Sequence, residues 1–514
     1  MLSPSIRFYW HTLFALLALP RITSAQNDPS SCTDLANLHL ENTTILSSTY
    51  ISGTANVTTP GSCQSQALVS NSLCRVQFII NTTSTSTVHA EAWLPDTWYG
   101  RYLGLGNGGL NGCIDYTNLD YGTSLHFATI ASDGGHDGNT GLPFLNNPEV
   151  ISDFSFRALH ASTLIGKQLV EEFYGRPHDT AYYLGCSTGG RQGMQAALKF
   201  PEDFDGIVAG APAVNTNFLE GWATMLGKLV GAPDPTGTPG FIPPELWDSV
   251  AEEVLRQCDA LDGVEDGIIT EPDECVFRPE ALICEDGDEG GCLTKEQVEV
   301  VRSVYQPMYG GSGMGELLSP RFDPGAEADG DVRLQDWYRF AILNDSTYDF
   351  ENFSMDTVML GASINPGDIE TFSGNLSAFK ARGGKFLTYH GRRDQLIPSG
   401  SSKCTYDLIS RTLALSRSSM DTFYRLFLVP GMNHCIGGPG FMLFGQMGAV
   451  SNALNNSDSN VLLAMVKWVE GDVGPDVVRG IGFGSAGEVI MRSHCRYPMR
   501  SMWDEGKREF ECVV

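Results

Sequence analysis

The segment that most constrains the fold is residues 181–200, where a short β-prone run meets a helical pattern at a glycine-rich turn. Residues 181–184 are β-prone, residues 191–200 place apolar side chains at helical spacing, and a Gly-Cys-Ser-Thr-Gly turn at 185–189 separates them. Residues 156–173, upstream, also have helical spacing. The order helix, strand, sharp turn, helix is typical of α/β proteins, so an α/β fold is predicted.

The turn at 185–189 has the pattern Gly-x-Ser-x-Gly, with Ser187 at its centre. A serine on such a turn is held above the sheet in a strained conformation, and small neighbours leave room for a substrate. The N-terminus of the following helix favours negative charge close to the serine. The pattern alone is weak evidence in a chain with 57 glycines. Its position between a strand and a helix is what indicates a nucleophile.

A serine nucleophile needs a base, and a carboxylate that orients the base; α/β-hydrolases supply them in the chain order Ser, Asp, His. Asp394 follows the β-prone run 385–390 in a Gly-Arg-Arg-Asp loop, and His434 follows the run 423–429 in a Pro-Gly-Met-Asn-His-Cys loop. Both therefore come where a strand ends, which is where functional loops emerge. Two simpler interpretations stay open: Asp394 as a turn residue paired with a neighbouring arginine, and His434 as a loop residue without a role.

The anion that forms on a tetrahedral intermediate needs preorganised N–H donors. The Gly-Asn-Gly-Gly turn at 106–109 follows the β-prone run 102–105 and predicts one donor, from Gly108 or Gly109, with the N–H of Thr188 as the other. A plain glycine-rich loop is the alternative. The turn lacks the Gly-x-Gly-x-x-Gly pattern of a dinucleotide site, so no organic cofactor is expected.

Two cysteines adjoin the predicted catalytic residues: Cys186 precedes Ser187, and Cys435 follows His434. A disulfide between them would hold the nucleophile close to the base. The spacing leaves open that the two cysteines are unrelated.

The N-terminus and the cysteine content indicate export. Arg7 precedes an apolar run at 8–19 and small residues at 23–25, which is the pattern of a cleaved signal peptide. The run is shorter than the roughly 20 residues of a membrane span. Thirteen cysteines suggest several disulfides and an unpaired thiol. Asn-x-Ser/Thr glycosylation acceptors lie at Asn42, Asn56, Asn81, Asn344, Asn352, Asn375 and Asn455.

The charge balance excludes some partners. The chain has 33 Lys and Arg against 61 Asp and Glu, a net charge of −28. Such a protein repels phosphate backbones and anionic lipids. Neither nucleic acid nor membrane is therefore expected as a partner.

Between two stretches of α/β pattern lies a segment of different texture, with a Pro-rich loop at 233–244, an acidic Gly-rich loop at 285–291 and four closely placed cysteines. We expect a signal peptide at 1–25, a first core part at 26–215, an inserted region at 216–380 and a second core part at 381–514.

An acidic loop at 259–268, in the inserted region, begins beside Cys258. Several carboxylates in one Gly-containing loop suit Ca²⁺, which takes oxygen ligands that include backbone carbonyls. The loop does not have the EF-hand spacing, because Leu261 stands where that spacing needs Asp or Asn. A solvated acidic turn explains the loop equally well.

Taken together, the segment 185–193, the Arg-Arg-Asp loop that ends at Asp394 and the segment 430–435 resemble the tannase and feruloyl esterase family. The likeness runs from about residue 30 to the C-terminus. It implies an α/β-hydrolase core with a large inserted lid domain. It also implies that Ser187 is the nucleophile, His434 the base and Asp394 the orienting carboxylate.

The resemblance further implies a disulfide between Cys186 and Cys435 behind the triad. It implies a structural Ca²⁺ in the lid, held by the positions matched by Asp259, Asp262, Val264, Asp266 and Ile268. The remaining family disulfides correspond to Cys32–Cys74, Cys63–Cys113, Cys258–Cys275, Cys284–Cys292 and Cys495–Cys512, which leaves Cys404 as the odd thiol.

The reaction implied is hydrolysis of a phenolic acid ester through an acyl-enzyme. The family includes secreted feruloyl esterases, which act on feruloyl, coumaroyl and caffeoyl esters of plant cell-wall polysaccharides such as xylan, and tannases, which cleave gallate esters. Fungal tannases are often processed at dibasic sites in the lid. No adjacent Lys/Arg pair occurs between residues 215 and 379, which favours a feruloyl esterase over the tannase alternative.

A function of a different class is a catalytically silent, calcium-stabilised glycoprotein that binds carbohydrate. The glycosylation acceptors and the acidity fit it. The presence of all three triad residues argues against it.

Overall fold

A computed structural model of the protein describes residues 23–24, 29–231, 237–285, 291–311, 315–327, 335–448, 455–483, 488–507 and 509–513. Most of the predicted signal peptide (1–25) lies outside these residues. Parts of the predicted Pro-rich and acidic loops, 233–244 and 285–291, also lie outside them.

The strands include the β-prone runs that the sequence indicates. Their bounds are β1 (Thr23–Ser24), β2 (Thr43–Ile51), β3 (Ala55–Thr58), β4 (Gln66–Val69), β5 (Leu73–Asn81), β6 (Thr87–Pro95), β7 (Thr97–Trp98), β8 (Arg101–Leu105), β9 (Phe127–Ser132), β10 (Thr180–Cys186), β11 (Gly206–Gly210), β12 (Met308–Tyr309), β13 (Leu317–Ser319), β14 (Lys385–Gly391), β15 (Tyr424–Val429), β16 (Val477–Phe483), β17 (Val489–Cys495), β18 (Arg500–Asp504) and β19 (Glu509–Val513).

The α-helices are α1 (Pro29–Asp34), α2 (Tyr116–Ser124), α3 (Pro148–Ser152), α4 (Ala158–Tyr174), α5 (Thr188–Lys199), α6 (Thr216–Leu229), α7 (Pro244–Cys258), α8 (Lys295–Val304), α9 (Met355–Ile364), α10 (Ser377–Ala381), α11 (Gly400–Thr412), α12 (Arg417–Met420) and α13 (Val461–Gly471). The helix predicted at 156–173 is α4, preceded by a π-helical turn at Asp153–Arg157. The helix predicted at 191–200 begins earlier, directly after Ser187.

A nine-stranded sheet forms the centre of the molecule, in the order β15-β14-β11-β10-β8-β9-β6-β5-β2. From β15 through β9 in this order, each strand is parallel to the next. The three remaining pairs, β9-β6, β6-β5 and β5-β2, are antiparallel. The parallel strands end at the same edge of the sheet. The loops after β8, β10, β14 and β15 therefore meet there, and these are the loops that contain the predicted catalytic residues.

Both faces of this sheet are buried, as parallel sheets require. Side chains alternate along β10, so that Tyr183 packs with the core on one face, while Tyr182 and Leu184 pack with the core on the other. Helices α4, α5 and α11 cover the first face, and helices α2 and α13 cover the second. This two-sided burial explains why the strands read as continuous apolar runs.

The described residues of the inserted region (216–380) add no strand to the nine-stranded sheet. The region packs on the core through aromatic side chains, among them Trp337 in a π-helical turn at Trp337–Ile342. The Trp337 ring meets Phe144 of the core edge-on at 5.8 Å, and its indole N–H donates to the Asn217 side chain at 2.9 Å. The domain division itself stays a prediction.

Two observations concern the predicted glycosylation sites and the length of the helices. All seven predicted glycosylation asparagines are exposed. Across the described part of the chain, no helix combines the length and the apolar character that a bilayer crossing needs.

Candidate active site

Ser187 lies between the end of β10 and the start of α5. Its backbone has φ 64° and ψ −124°, a conformation that costs energy for any residue with a side chain. The core holds this turn in place: the Ser187 N–H donates to the Gly210 carbonyl at 3.0 Å, and the Ser187 carbonyl accepts from the N–H of Ala213 at 3.1 Å. The strained turn places the serine at the N-terminus of a helix, where unpaired N–H groups favour an anion.

Two glycines make this turn possible. A Cβ on Gly185 would lie 2.8 Å from the Gly189 carbonyl carbon, too close for any other residue. A Cβ on Gly106 would lie 2.6 Å from the Gly189 Cα, so the loop after β8 also needs glycine where it passes the helix. The close packing of these backbones gives the Gly-x-Ser-x-Gly pattern its physical cause.

Asp394 and His434 meet at the ends of β14 and β15. The His434 Nδ1 lies 2.8 Å from Oδ2 of Asp394, and the Asp394 side chain is 2 % exposed. Oδ1 of Asp394 accepts the N–H groups of Leu396 and Ile397, at 2.9 and 2.8 Å. Burial opposes ionisation of Asp394, yet the charge of His434 and hydrogen bonds from the two nearby histidines hold its pKa well below the ordinary value.

The arginines beside Asp394 have other partners. Arg392 is buried, and its Nε lies 2.9 Å from Asp323 of the inserted region. The Arg393 Nε donates to the Gly325 carbonyl at 2.8 Å. The simpler interpretation of Asp394, as a turn residue paired with a neighbouring arginine, therefore does not describe the structure.

Sequence reasoning missed a second histidine on the same carboxylate. His390, fully buried at the end of β14, has its Nε2 3.2 Å from Oδ2 of Asp394 and 2.9 Å from the Ile397 carbonyl. Its Nδ1 lies 2.7 Å from the Ser402 hydroxyl. The Ile397 carbonyl can only accept from this ring, so Nε2 carries a hydrogen, and the Ser402 hydroxyl fixes the other ring nitrogen. The only signal in the sequence was a histidine in an otherwise apolar strand.

The disulfide between Cys186 and Cys435 is present, and it links the residue before Ser187 to the residue after His434 across 249 positions of the chain. The other pairs implied by the resemblance are also joined, which gives six disulfides among the described residues: Cys32–Cys74, Cys63–Cys113, Cys186–Cys435, Cys258–Cys275, Cys284–Cys292 and Cys495–Cys512. Cys404 has a free thiol.

A cavity of about 310 Å³ opens at this edge of the sheet. Ser187 and His434 line it, together with Thr188, Gly108 and Gly109, the residues predicted to supply oxyanion donors. The Thr188 hydroxyl donates to the Gly109 carbonyl at 2.7 Å and so fixes the 106–109 loop against helix α5. The cavity therefore brings together the predicted nucleophile, the predicted base and candidate N–H donors.

The acidic loop at 259–268 is partly folded on itself. Asp259 accepts the N–H groups of Gly267 and Ile268, Asp262 accepts that of Val264, and Asp266 accepts that of Ile268. Burial and the nearby charges of Asp262 and Asp259 raise the pKa of Asp266, against the opposing charge of Arg492. Crowded carboxylates with backbone carbonyls fit a hard cation, since its charge relieves their repulsion.

Within the described ranges, however, no three or more His, Cys, Asp or Glu side chains are grouped as a metal site. A Ca²⁺ at this loop would be bound by carboxylates that also accept hydrogen bonds from the loop N–H groups, together with the backbone oxygens of Val264 and Ile268. The calcium site stays a prediction.

Comparison with known proteins places the chain among esterases. A family model described as tannase and feruloyl esterase matches residues 74–337 and 328–513. Over 98% of its length the chain is 41% identical to a probable feruloyl esterase B of Aspergillus clavatus, of which 99% is covered. It is 42% identical over 91% of its length to a probable feruloyl esterase B-1 of Aspergillus fumigatus, of which 90% is covered.

Solved structures agree. The crystal structure of feruloyl esterase B from Aspergillus oryzae superposes with a TM-score of 0.89 at 38% identity, covering 94% of this chain and all of that one. A tannin acyl hydrolase from Aspergillus niger shares the fold with a TM-score of 0.74 at 23% identity, covering 95% of each chain. The predicted α/β-hydrolase fold is confirmed.

Proposed function

Because this chain belongs to the tannase and feruloyl esterase family and is a carboxylic ester hydrolase, we propose that it is a secreted serine esterase of hydroxycinnamate esters. Its substrates would be feruloyl, coumaroyl and caffeoyl esters of plant cell-wall polysaccharide. The observation that carries the proposal is the shared cavity: Ser187 and His434 line it, and Asp394 lies 2.8 Å behind the His434 ring.

In the first half of the reaction, Asp394 accepts from Nδ1 of His434 and leaves Nε2 free to act as the base. His434 takes the hydroxyl proton of Ser187 as the serine oxygen attacks the ester carbonyl. The N–H groups of Thr188 and of Gly108 or Gly109 stabilise the oxyanion. The intermediate then breaks its bond to the alcohol, which leaves with the proton held by His434.

The second half releases the acid. His434 removes a proton from water, and the resulting hydroxide attacks the acyl group on Ser187. The tetrahedral intermediate collapses, the Ser187 oxygen regains the proton from His434, and the phenolic acid departs. The ionised Asp394 stabilises the imidazolium that forms in both halves, which agrees with its low pKa.

The walls of the cavity fit an aromatic acyl group. Leu219, Leu396, Ile397 and Met447 contribute apolar surface beside the catalytic residues. Relatives at about 40% identity are named as probable feruloyl esterases B. The tannin acyl hydrolase, in contrast, is only 23% identical. These facts favour hydroxycinnamate over gallate, and gallate ester hydrolysis remains the second candidate.

We also propose that the inserted region holds a structural Ca²⁺ through Asp259, Asp262 and Asp266, with the Val264 and Ile268 carbonyls. Removal of Ca²⁺ by a chelator should lower the melting temperature by several degrees, and addition of Ca²⁺, but not of Mg²⁺, should restore it. An unchanged melting temperature in chelator, with no calcium in the purified protein, would contradict the calcium proposal.

The disulfides and the exposed glycosylation acceptors support the proposal that the protein is secreted and glycosylated.

The test of function is product release from methyl ferulate, methyl caffeate, methyl p-coumarate and methyl gallate by the purified protein. We expect cinnamate hydrolysis by the wild type and none by Ser187→Ala. The matched control is Ser363→Ala, which removes an exposed serine of helix α9 far along the chain from the site.

Each outcome has a clear meaning. A preference for gallate would change the substrate class to that of a tannase while the serine mechanism survives. Activity that persists in Ser187→Ala would overturn the mechanism. Absence of hydrolysis on all four esters would reject the proposed substrate class, and other aromatic esters would then be tested before the carbohydrate-binding alternative.

A further inference from the structure

Two carboxyl groups that the mechanism does not use line the catalytic cavity, those of Asp115 and Glu220. Glu220 lies on helix α6, the first helix of the inserted region, and lines the cavity with Leu219 and Ala213. Its side chain is 7% exposed, and its Oε2 is fully buried with no hydrogen-bond partner. No cation among the described residues forms an ion pair with it, and burial raises the pKa of Glu220 to about 8.

Asp115, which lines the same cavity, provides the contrast. Its Oδ1 accepts the N–H of Asn118 at 3.0 Å, and its Oδ2 accepts from the Asn118 side chain at 2.5 Å. Asp115 is thus fully engaged as the cap of helix α2. Glu220 is more buried than Asp115, and its Oε2 has no hydrogen-bond partner. Buried polar groups are normally paired, so an exception at a cavity wall indicates a missing ligand.

The protonated form of Glu220 defines which ligand group fits. A neutral carboxyl offers one O–H donor and one carbonyl acceptor side by side. A phenol hydroxyl is both a donor and an acceptor, and so can exchange two hydrogen bonds with such a group. An ionised carboxylate of a ligand would be repelled once Glu220 lost its proton, and an ammonium would find no charge on Glu220 while the carboxyl keeps its proton. A neutral hydroxyl on an aromatic ring is the best match.

We propose that Glu220 binds the phenolic hydroxyl of the aromatic acyl group and thereby selects hydroxycinnamates over unsubstituted cinnamates. This inference rests on the proposed function, since it assumes that the acyl group of the substrate enters this cavity. In this arrangement the apolar walls hold the ring, Ser187 and His434 act on the ester, and Glu220 binds the hydroxyl substituent. A cavity of about 310 Å³ is of the size that takes one small ligand of this kind.

The experiment compares kcat/KM for methyl p-coumarate, the 4-hydroxycinnamate ester, with kcat/KM for methyl cinnamate, which lacks the hydroxyl. Both are measured at pH 6, below the raised pKa of Glu220, where its carboxyl is protonated. The ratio of the two values is measured for the wild type, for Glu220→Leu and for Glu220→Gln. We expect Glu220→Leu to lower the ratio about tenfold, the effect of one lost hydrogen bond to a hydroxyl. Glu220→Gln keeps a neutral donor and acceptor, so its ratio should stay within about threefold of the wild-type ratio.

The outcomes separate this inference from the proposed function. If the wild type hydrolyses neither ester, the proposed function fails. If it hydrolyses both and Glu220→Leu keeps the wild-type ratio, Glu220 does not read the hydroxyl and the inference is overturned alone. Should Glu220→Leu not fold, the wild-type ratio decides: a value near one overturns the inference, and a value of about ten or more supports it.

Discussion

Ser187 lines the cavity and Asp394 lies behind the ring of His434, and both follow strands of one sheet. Different parts of the chain hold the two residues in place. The turn that contains Ser187 is bonded to Gly210 and Ala213, which belong to the first core part. The loop that contains Asp394 is bonded to the inserted region as well. These two hydrogen bonds of the Ser187 turn thus lie within the core, whereas the Asp394 loop is bonded to the inserted region as well.

Arg392 links the Asp394 loop to the inserted region. Its side chain is 3% exposed and lies 2.9 Å from Asp323 and 3.0 Å from Asp273. Despite burial, which favours the neutral form, these carboxylates and Glu271 raise the pKa of Arg392, so it stays charged. A buried arginine with several carboxylate partners fixes the loop two residues before Asp394. The difference indicates that the inserted region, which contributes Leu219 and Glu220 to the cavity wall, also holds the loop of the proposed triad carboxylate.

The largest effect is expected for Asp394, whose loop is held by both the core and the inserted region. Asp394→Asn should lower kcat by about 10⁴-fold, because an amide cannot hold the Nδ1–H tautomer of His434 or stabilise its charge. Steady-state kinetics on methyl ferulate measure the loss. The matched control is Asp407→Asn, an exposed aspartate on helix α11, which should retain wild-type kinetics. A loss of less than about tenfold in Asp394→Asn would show that another group orients the base.

The next largest effect concerns the Cys186–Cys435 disulfide, which joins the turn of Ser187 to the loop of His434. Replacing both Cys186 and Cys435 by alanine should lower kcat by about 10²-fold with a small change in KM, since His434 loses its fixed distance to Ser187. The control is the pair Cys495→Ala and Cys512→Ala, which removes a disulfide remote from the cavity. A folded Cys186→Ala, Cys435→Ala protein with full kcat would refute the positioning role of the bond.

A smaller effect on rate, with a large one on stability, is expected for Arg392→Met. It leaves Asp323 without its buried cation, which should cost about 3–5 kcal/mol in the free energy of unfolding, and should lower kcat about tenfold through the Asp394 loop. Urea unfolding and kinetics measure the two quantities. Adding Asp323→Leu to Arg392→Met should restore part of the stability, because the unpaired carboxylate is then gone. Unchanged kcat in a folded Arg392→Met protein would remove the inserted region from the support of the triad.

The smallest effect on rate is expected for Glu220→Gln. This variant changes the part of the inserted region that lines the cavity and leaves its contacts with the Asp394 loop unchanged. Burial raises the pKa of Glu220 to about 8 in the folded state, whereas the pKa of an unfolded glutamate has its ordinary value of 4.5. Between these pH values the unfolded chain binds fewer protons, so this group makes the unfolding free energy fall as pH rises, by about 1 kcal/mol per unit. Glu220→Gln should therefore be more stable relative to the wild type at pH 8 than at pH 5. Parallel melting curves at the two pH values check this, and an equal difference at both would show that Glu220 is ionised in the fold.

The sequence was informative wherever a local pattern had a local cause. Ser187 was predictable because its turn needs glycines at fixed positions between a strand and a helix, and Asp394 and His434 were predictable because each follows an apolar strand. The strand order then brings the three loops to one edge.

Residues whose role depends on distant neighbours were not predictable. Arg392 and Asp323 are 69 positions apart, and nothing in either local sequence indicates the contact. Glu220 occurs in a helical pattern, where a glutamate ordinarily faces solvent; only tertiary packing buries it against the cavity. His390 is similar, since its contact with Asp394 depends on how the loop after β14 turns back.

The most direct test of the account is covalent labelling of the nucleophile. The protein is treated with diisopropyl fluorophosphate, residual hydrolysis of methyl ferulate is followed, and digested peptides are mapped by mass spectrometry. The account predicts one phosphoryl adduct, on the peptide that contains Ser187, formed in proportion to the activity lost and absent in Ser187→Ala. Inactivation with the adduct on another residue, or full labelling of Ser187 with activity retained, would contradict it.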